Sequence, residues 1–139
     1  MKTHHTLHCT QEYEFITLAI NSHSRGYKLC WNLNKSLGLS FKMTDNHIIS
    51  KELIFTRYEA KDDDGRSFNL LPNLSKKGYL IPSQSRINYF LLINNSNWDN
   101  IKDKFLSKLR AINDILLVRE LDVEKIKNSD RLIIYDKKN

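Results

Sequence analysis

The sequence predicts an α+β fold, a mainly antiparallel sheet with two helices packed on one face. Three observations carry that prediction. Two stretches, residues 25–37 and 98–112, repeat apolar residues every three to four positions, as one buried helix face requires. Between them lies a long series of short β-rich runs separated by turn residues, and helices set apart by hairpin-linked strands suit a sheet covered on one side. Only four glycines and two prolines punctuate 139 residues, with no repeat or low-complexity linker, so one domain over residues 12–136 is expected behind a partly ordered leader, residues 1–11.

The elements follow in order. Residues 13–20 (YEFITLAI) are apolar and β-branched, which predicts a strand covered on both faces. In residues 25–37 (RGYKLCWNLNKSL) Tyr27, Cys30, Leu33 or Asn34, and Leu37 form the helical stripe. Ser22 or Ser24 is positioned to cap the helix start, and Gly38 to end it in the left-handed conformation. Residues 39–43 and 47–49 read as two short strands joined by a turn at Thr44, Asp45 and Asn46. Residues 53–60 and 66–71 flank KDDDG, and acids ending in glycine between β-rich runs mark a hairpin. The nearly continuous apolar run 87–93 (INYFLLI) predicts a central strand. In the second helix the stripe is Trp98, Ile101, Phe105, Leu109 and Ile112, with Ser96 or Asn97 as N-cap. Residues 114–121 return as a strand, and residues 131–135 (RLIIY) add a last strand or short extension.

The formal net charge of +6 invites a nucleic-acid reading, so its distribution matters. Residues 1–50 carry five Lys/Arg against three acids, residues 51–100 seven against six, and residues 101–139 ten against seven. That near-even spread weakens the inference, because phosphate binding draws its affinity from concentrated charge. The one candidate RNA contact is the polar side of the second helix: Lys102, Lys104, Lys108 and Arg110. No run of 18 apolar residues occurs, and the start, MKTHHTLHCTQEYEF, lacks a signal-peptide pattern; the expectation is a cytoplasmic protein, not inserted in a membrane, with Cys9 and Cys30 as free thiols.

Residues 79–93 read YLIPSQSRINYFLLI. This string resembles the signature of the IPExxxVDY family of Bacteroidetes proteins: Ile81 and Pro82 stand at the Ile-Pro positions, Ser83 at the Glu position, and Ile87, Asn88 and Tyr89 at the Val-Asp-Tyr positions. The resemblance extends over residues 12–136 and implies a small cytoplasmic protein, with no activity, cofactor or catalytic residue to carry over. Both family acids are missing here. A hydroxyl and a neutral amide do not replace carboxylates as base or hard-cation ligand, so the motif reads as structural.

The remaining chemistry is thin. His4, His5, His8 and Cys9 offer metal-ligand atoms without a second cluster, which favours adventitious binding. Asp62, Asp63 and Asp64 lack the alternating ligands of a calcium loop and read as a solvated turn. Ser22-His23-Ser24 is the best enzymatic corner, yet the nucleophile-elbow glycines are absent. With no catalytic constellation and no cofactor motif, the expectation is a non-enzymatic module that binds a protein partner or self-associates, with accessory RNA binding as the alternative. Little protects the run 40–50 as a sheet edge beyond Lys42, so Phe41, Ile48 and Ile49 are the candidate partner edge.

Overall fold

The computed structural model describes residues 15–94 and 97–135. Six strands form one antiparallel sheet: β1 (Ile16–Ser22), β2 (Lys42–Ile48), β3 (Ile54–Lys61), β4 (Ser67–Pro72), β7 (Tyr89–Asn94) and β8 (Ile115–Leu121), in the order β2-β3-β4-β7-β1-β8. A two-residue pair, β5 (Leu74–Ser75) and β6 (Gly78–Tyr79), stands apart. Helix α1 (Gly26–Leu37) links β1 to β2, and α2 (Trp98–Arg110) links β7 to β8. The α+β fold is thus as expected from sequence, and β7 is central, between β4 and β1.

Strand alternation divides the sheet's side chains between two cores. Leu18 and Ile20 of β1, Leu91 and Ile93 of β7, and Phe68 and Leu70 of β4 pack with Leu29, Cys30 and Leu33 of α1 and with Trp98 and Leu109 of α2. Both helices therefore lie on this face. Within this core Phe105 stacks on Phe68 with ring centroids 5.9 Å apart, and Trp98 meets Phe105 edge-on. The opposite face carries Ala19, Phe55, Leu71, Phe90 and Leu92, and among the described residues no α-helix covers it. Its cover is irregular chain: Leu80, Ile81 and Ile87 from one side, Val123, Ile126, Leu132 and Ile134 from the C-terminal side.

Several local expectations are corrected. Of the first expected strand, residues 13 and 14 lie outside the described residues; the strand runs Ile16–Ser22, ending two residues past its apolar run because Asn21 and Ser22 still pair with β8. Neither serine caps α1. The N-cap position is Arg25 without a side-chain bond, since Ser24 Oγ donates to Asp114 Oδ2 (2.9 Å) and Ser22 Oγ accepts the Ser24 N–H (3.1 Å). Tyr27, assigned to the buried stripe, is exposed; Leu29 takes its place. Gly38 does end the helix, at φ 68°, with its N–H on Asn34 O. The two short strands predicted around a turn are one strand, β2, with a bulge between Thr44 and His47 held by Arg57, whose Nε donates to the Asp45 carbonyl (3.1 Å). Turn-forming residues made a bulge because β3 continues to pair on both sides of them. Residues 131–135 add no strand: a 3₁₀ turn, Ser129–Leu132, seats Leu132 in the second core. Asn97 stands at the α2 N-cap in the left-handed region without a side-chain bond, and Ser96 lies outside the described residues.

Candidate functional site

The segment of residues 73–88 closes one end of the second core. Asn73 organises it. Fully buried, it donates from Nδ2 to the carbonyls of Gln84 (2.9 Å) and Ile87 (3.0 Å) and accepts at Oδ1 from the Ile81 N–H (2.8 Å). Its backbone N–H and carbonyl bond Asn88 O and Leu80 N. The motif residues take their places around that hub. Ile81 and Ile87 are buried plugs, and Pro82 starts the 3₁₀ turn Pro82–Gln84, where a missing N–H costs nothing. Ser83 is exposed. Asn88 Oδ1 accepts from the Ser22 N–H (2.9 Å), and Tyr89 donates its hydroxyl proton to Ser24 O (2.6 Å) while burial pushes its pKa up to about 12. Each of these contacts joins chain segments, and none presents a reactive group to solvent. Asn73 escaped sequence reading because a lone Asn after Pro72 signals only a turn.

Beside this plug, His47 and Arg57 sit buried on the same sheet face. His47 Nε2 donates to the Arg131 carbonyl (2.5 Å), tying the C-terminal turn to β2. Burial lowers its pKa; the Arg131 bond opposes this and the Arg57 charge adds to it. Arg57 Nη1 donates to Asn69 Oδ1 (2.7 Å). The sequence pattern does not flag this pair, because an interior arginine on a strand reads as a solvent-facing position.

The enzymatic corner is structural. His23 is exposed, and the Ser24 hydroxyl is committed to Asp114, which also accepts from Asn32 Nδ2 (2.9 Å) and lies 3.6 Å from Lys28 Nζ. These donors, Ser24 and Asn32 first, hold the Asp114 carboxyl below the usual range. The acidic hairpin is also self-satisfied. Asp62 Oδ1 accepts from the N–H groups of Asp64 and Arg66, and Arg66 Nη1 binds both Asp62 Oδ2 (2.8 Å) and Asp64 Oδ2 (3.1 Å). Burial would raise the Asp62 pKa, and the Arg66 bonds outweigh it, leaving it lowered. Cys30 is a free, buried thiol pushed up to about 12 by desolvation, so it is inert. His4, His5, His8 and Cys9 lie outside the described residues, among which no group of three or more His, Cys, Asp or Glu could hold a metal ion.

The four predicted RNA contacts do not share one face. At 100° per residue, Lys104 and Lys108 lie about 40° apart on α2, whereas Lys102 and Arg110 lie on another side of the helix. Arg110 Nη2 reaches the Val118 carbonyl of β8 (3.3 Å), and Lys104 and Lys108 instead line a cleft with Lys61 and the hairpin. The predicted partner edge also divides. β2 is an outer strand of the sheet, but Phe41 is buried in the helix-side core because its N–H is fixed by Asn34 Oδ1 (2.6 Å), and Ile49 packs into the second core. Ile48 alone of the three points outward.

Other exposed apolar side chains lie at α1 and β8. Tyr27 and Trp31, one turn apart on α1, are 70% and 60% exposed, and Leu116 and Leu117 on the outer strand β8 are 62% and 55% exposed. Tyr27 and Leu116 line one shallow hollow together with Arg25 and Lys28. Lys35 Nζ sits 4.9 Å above the Trp31 ring. The helix itself contains no acidic residue. Leu116 is outward because β8 bulges opposite Asn21 and Ser22.

No family profile and no curated protein matches this chain. Among the described residues no helix is long and apolar enough to cross a membrane.

Proposed function

We propose that this chain is a non-enzymatic protein-binding module, and that its partner docks on the outer side of α1 and the adjoining end of β8. The observation that carries the reading is the exposure of Tyr27 and Leu116 beside Arg25 in one hollow, with Trp31 exposed one turn further along the same helix. Aromatics and arginine buried on binding supply most of the affinity at protein interfaces, and two exposed aromatics one turn apart on a helix offer such anchors. The flanking cations Arg25, Lys28 and Lys35 favour a partner surface that is apolar and acidic. Membership of the IPExxxVDY family is part of the same proposal. It adds no activity, and the family's missing acids do not conflict with a motif whose residues serve packing.

RNA binding is the second reading, favoured by the alternation of Arg25, Lys28 and Lys35 with two exposed aromatics, which resembles a stacking platform. The aliphatic Leu116 beside Tyr27 argues for protein, since neither bases nor phosphates gain from it. A photo-crosslinking amino acid placed at Trp31, with Lys127 as the remote control position, tests this in cells. One dominant protein adduct at position 31, absent at 127 and lost with Tyr27→Glu, supports the reading. Equal adducts at both positions refute it, and an RNA adduct with a steep salt dependence transfers the function to the second reading.

A further inference from the structure

We infer that the cleft between the β3–β4 hairpin, the α1–β2 turn and α2 binds a small anion carrying a flat ring, of the nucleoside monophosphate class. This is a different place on the molecule from the partner surface above and goes beyond it. The cleft has a volume of 580 Å³, inside the range of small-molecule sites, roughly 300 to 1,000 Å³. Its floor is apolar: Ile101, Phe105 and Leu37 are each only partly buried, and Phe105 is flanked by the nearly parallel, offset ring of Phe68, at 5.9 Å and 9°. Such a backed ring offers a fixed stacking surface for a planar group.

The rim selects the charge. Lys61, Lys104 and Lys108 line the cleft and form no ion pair with any described carboxylate. Arg66 binds both Asp62 and Asp64 and offsets one of their two negative charges, so the lining carries four cations against three carboxylates and stays net positive by one. The third, Asp63, is exposed at the hairpin tip. Three uncommitted ammonium groups around an apolar floor therefore fit one anionic group beside one ring. The cleft is a local hollow bounded by the hairpin, the α1–β2 turn and α2, with room for one nucleotide, so the occupant is a free small molecule.

The test is a titration of the full chain, labelled with nitrogen-15, with adenosine 5′-monophosphate, inorganic phosphate, adenosine and a ten-residue oligoadenylate, followed by amide shifts. The monophosphate is expected to saturate at about 1 mM or below, moving amides of residues 37–40, 61–66 and 100–108. Lys104→Ala with Lys108→Ala should weaken it about tenfold or more, and Lys127→Ala should not. Because these lysines are surface groups, the double variant keeps the fold, which its unchanged remote amides will show. The inference fails if shifts do not saturate by about 10 mM, if phosphate or adenosine alone binds as tightly, or if the double variant binds as the parent does. It fails equally if only the oligoadenylate binds, which would make the lysines an RNA contact.

Discussion

Replacing Asn73 by alanine should be among the most damaging single substitutions in this chain, although the residue lies in a loop. Its side chain serves three backbone groups inside the second core: the N–H of Ile81 and the carbonyls of Gln84 and Ile87. Gln84 O keeps a partner, the Ile87 N–H at 3.0 Å, so the variant orphans two groups rather than three. An unsatisfied buried polar group costs about 1 to 3 kcal/mol, so the loss is about 2 to 6 kcal/mol, a large share of the roughly 5 to 15 kcal/mol that holds a domain together. Asn73→Asp should be no better: the carboxylate can still accept from Ile81 but turns lone pairs toward two carbonyls. Asn88→Ala is the calibration. Asn88 is exposed and gives one bond, to the Ser22 N–H, so about 1 kcal/mol is expected. Urea unfolding at equilibrium measures all three, and hydrogen exchange at the Ile81 amide reports the local bond. An Asn73→Ala cost no larger than that of Asn88→Ala, with Ile81 exchange unchanged, would refute the assignment of Asn73 as the hub.

Two further outcomes test the core and the buried imidazole of His47. Leu109→Ala, at the fully buried end of the α2 stripe, should cost about 2 to 5 kcal/mol in urea unfolding, while Lys104→Ala on the same helix should stay within about 0.5 kcal/mol. His47 is held neutral, with its folded pKa below 6.5, so the unfolded chain binds the proton first. Its contribution is complete above about pH 6.5 and is lost as pH falls through the folded value, at no more than about 1.4 kcal/mol per pH unit. The stability difference between wild type and His47→Gln should therefore shift against the wild type between pH 7.5 and 5, and a pH-independent difference would show that His47 does not titrate on unfolding.

What was legible in the sequence was whatever a period could carry. The stripe Trp98, Ile101, Phe105, Leu109 and Ile112 lies on the sheet side of α2 as its spacing requires, and KDDDG between β3 and β4 makes the hairpin its composition announces. The errors share a cause: each arises where a long-range contact overrides a local preference. Ser22 and Ser24 are good caps in isolation, but Asp114, far along the chain, claims the Ser24 hydroxyl. Thr44, Asp45 and Asn46 are good turn residues, but Arg57 reaches across from β3 and turns them into a bulge. Tyr27 fits the apolar stripe of α1 within one residue, yet it is exposed. A Cβ at position 26 would stand 2.8 Å from the Tyr58 hydroxyl, so the glycine lets that ring against the helix start, while the helix turns Leu29, Cys30 and Leu33 inward and Tyr27 outward.

The same distinction governs the functional residues. A surface site of this kind has no spacing rule, because its members come from separate elements: Tyr27 and Trp31 from a helix, Leu116 from the bulge of an outer strand, and Lys61, Lys104 and Lys108 from a hairpin and another helix. Sequence reading grouped Lys102, Lys104, Lys108 and Arg110 by proximity in the chain, and the helical period separates them. It also placed the partner edge at Phe41, Ile48 and Ile49, where strand alternation and the Asn34 bond send Phe41 inward. Both outer strands carry a bulge, β2 at Asp45 and Asn46 and β8 at Leu116, and a bulge hinders pairing with another strand by twisting the edge away. A partner approaching this molecule therefore meets side chains before it meets backbone. Under the docking proposed on α1, specificity therefore rests on the aromatic side chains of that helix rather than on an open ladder of hydrogen bonds.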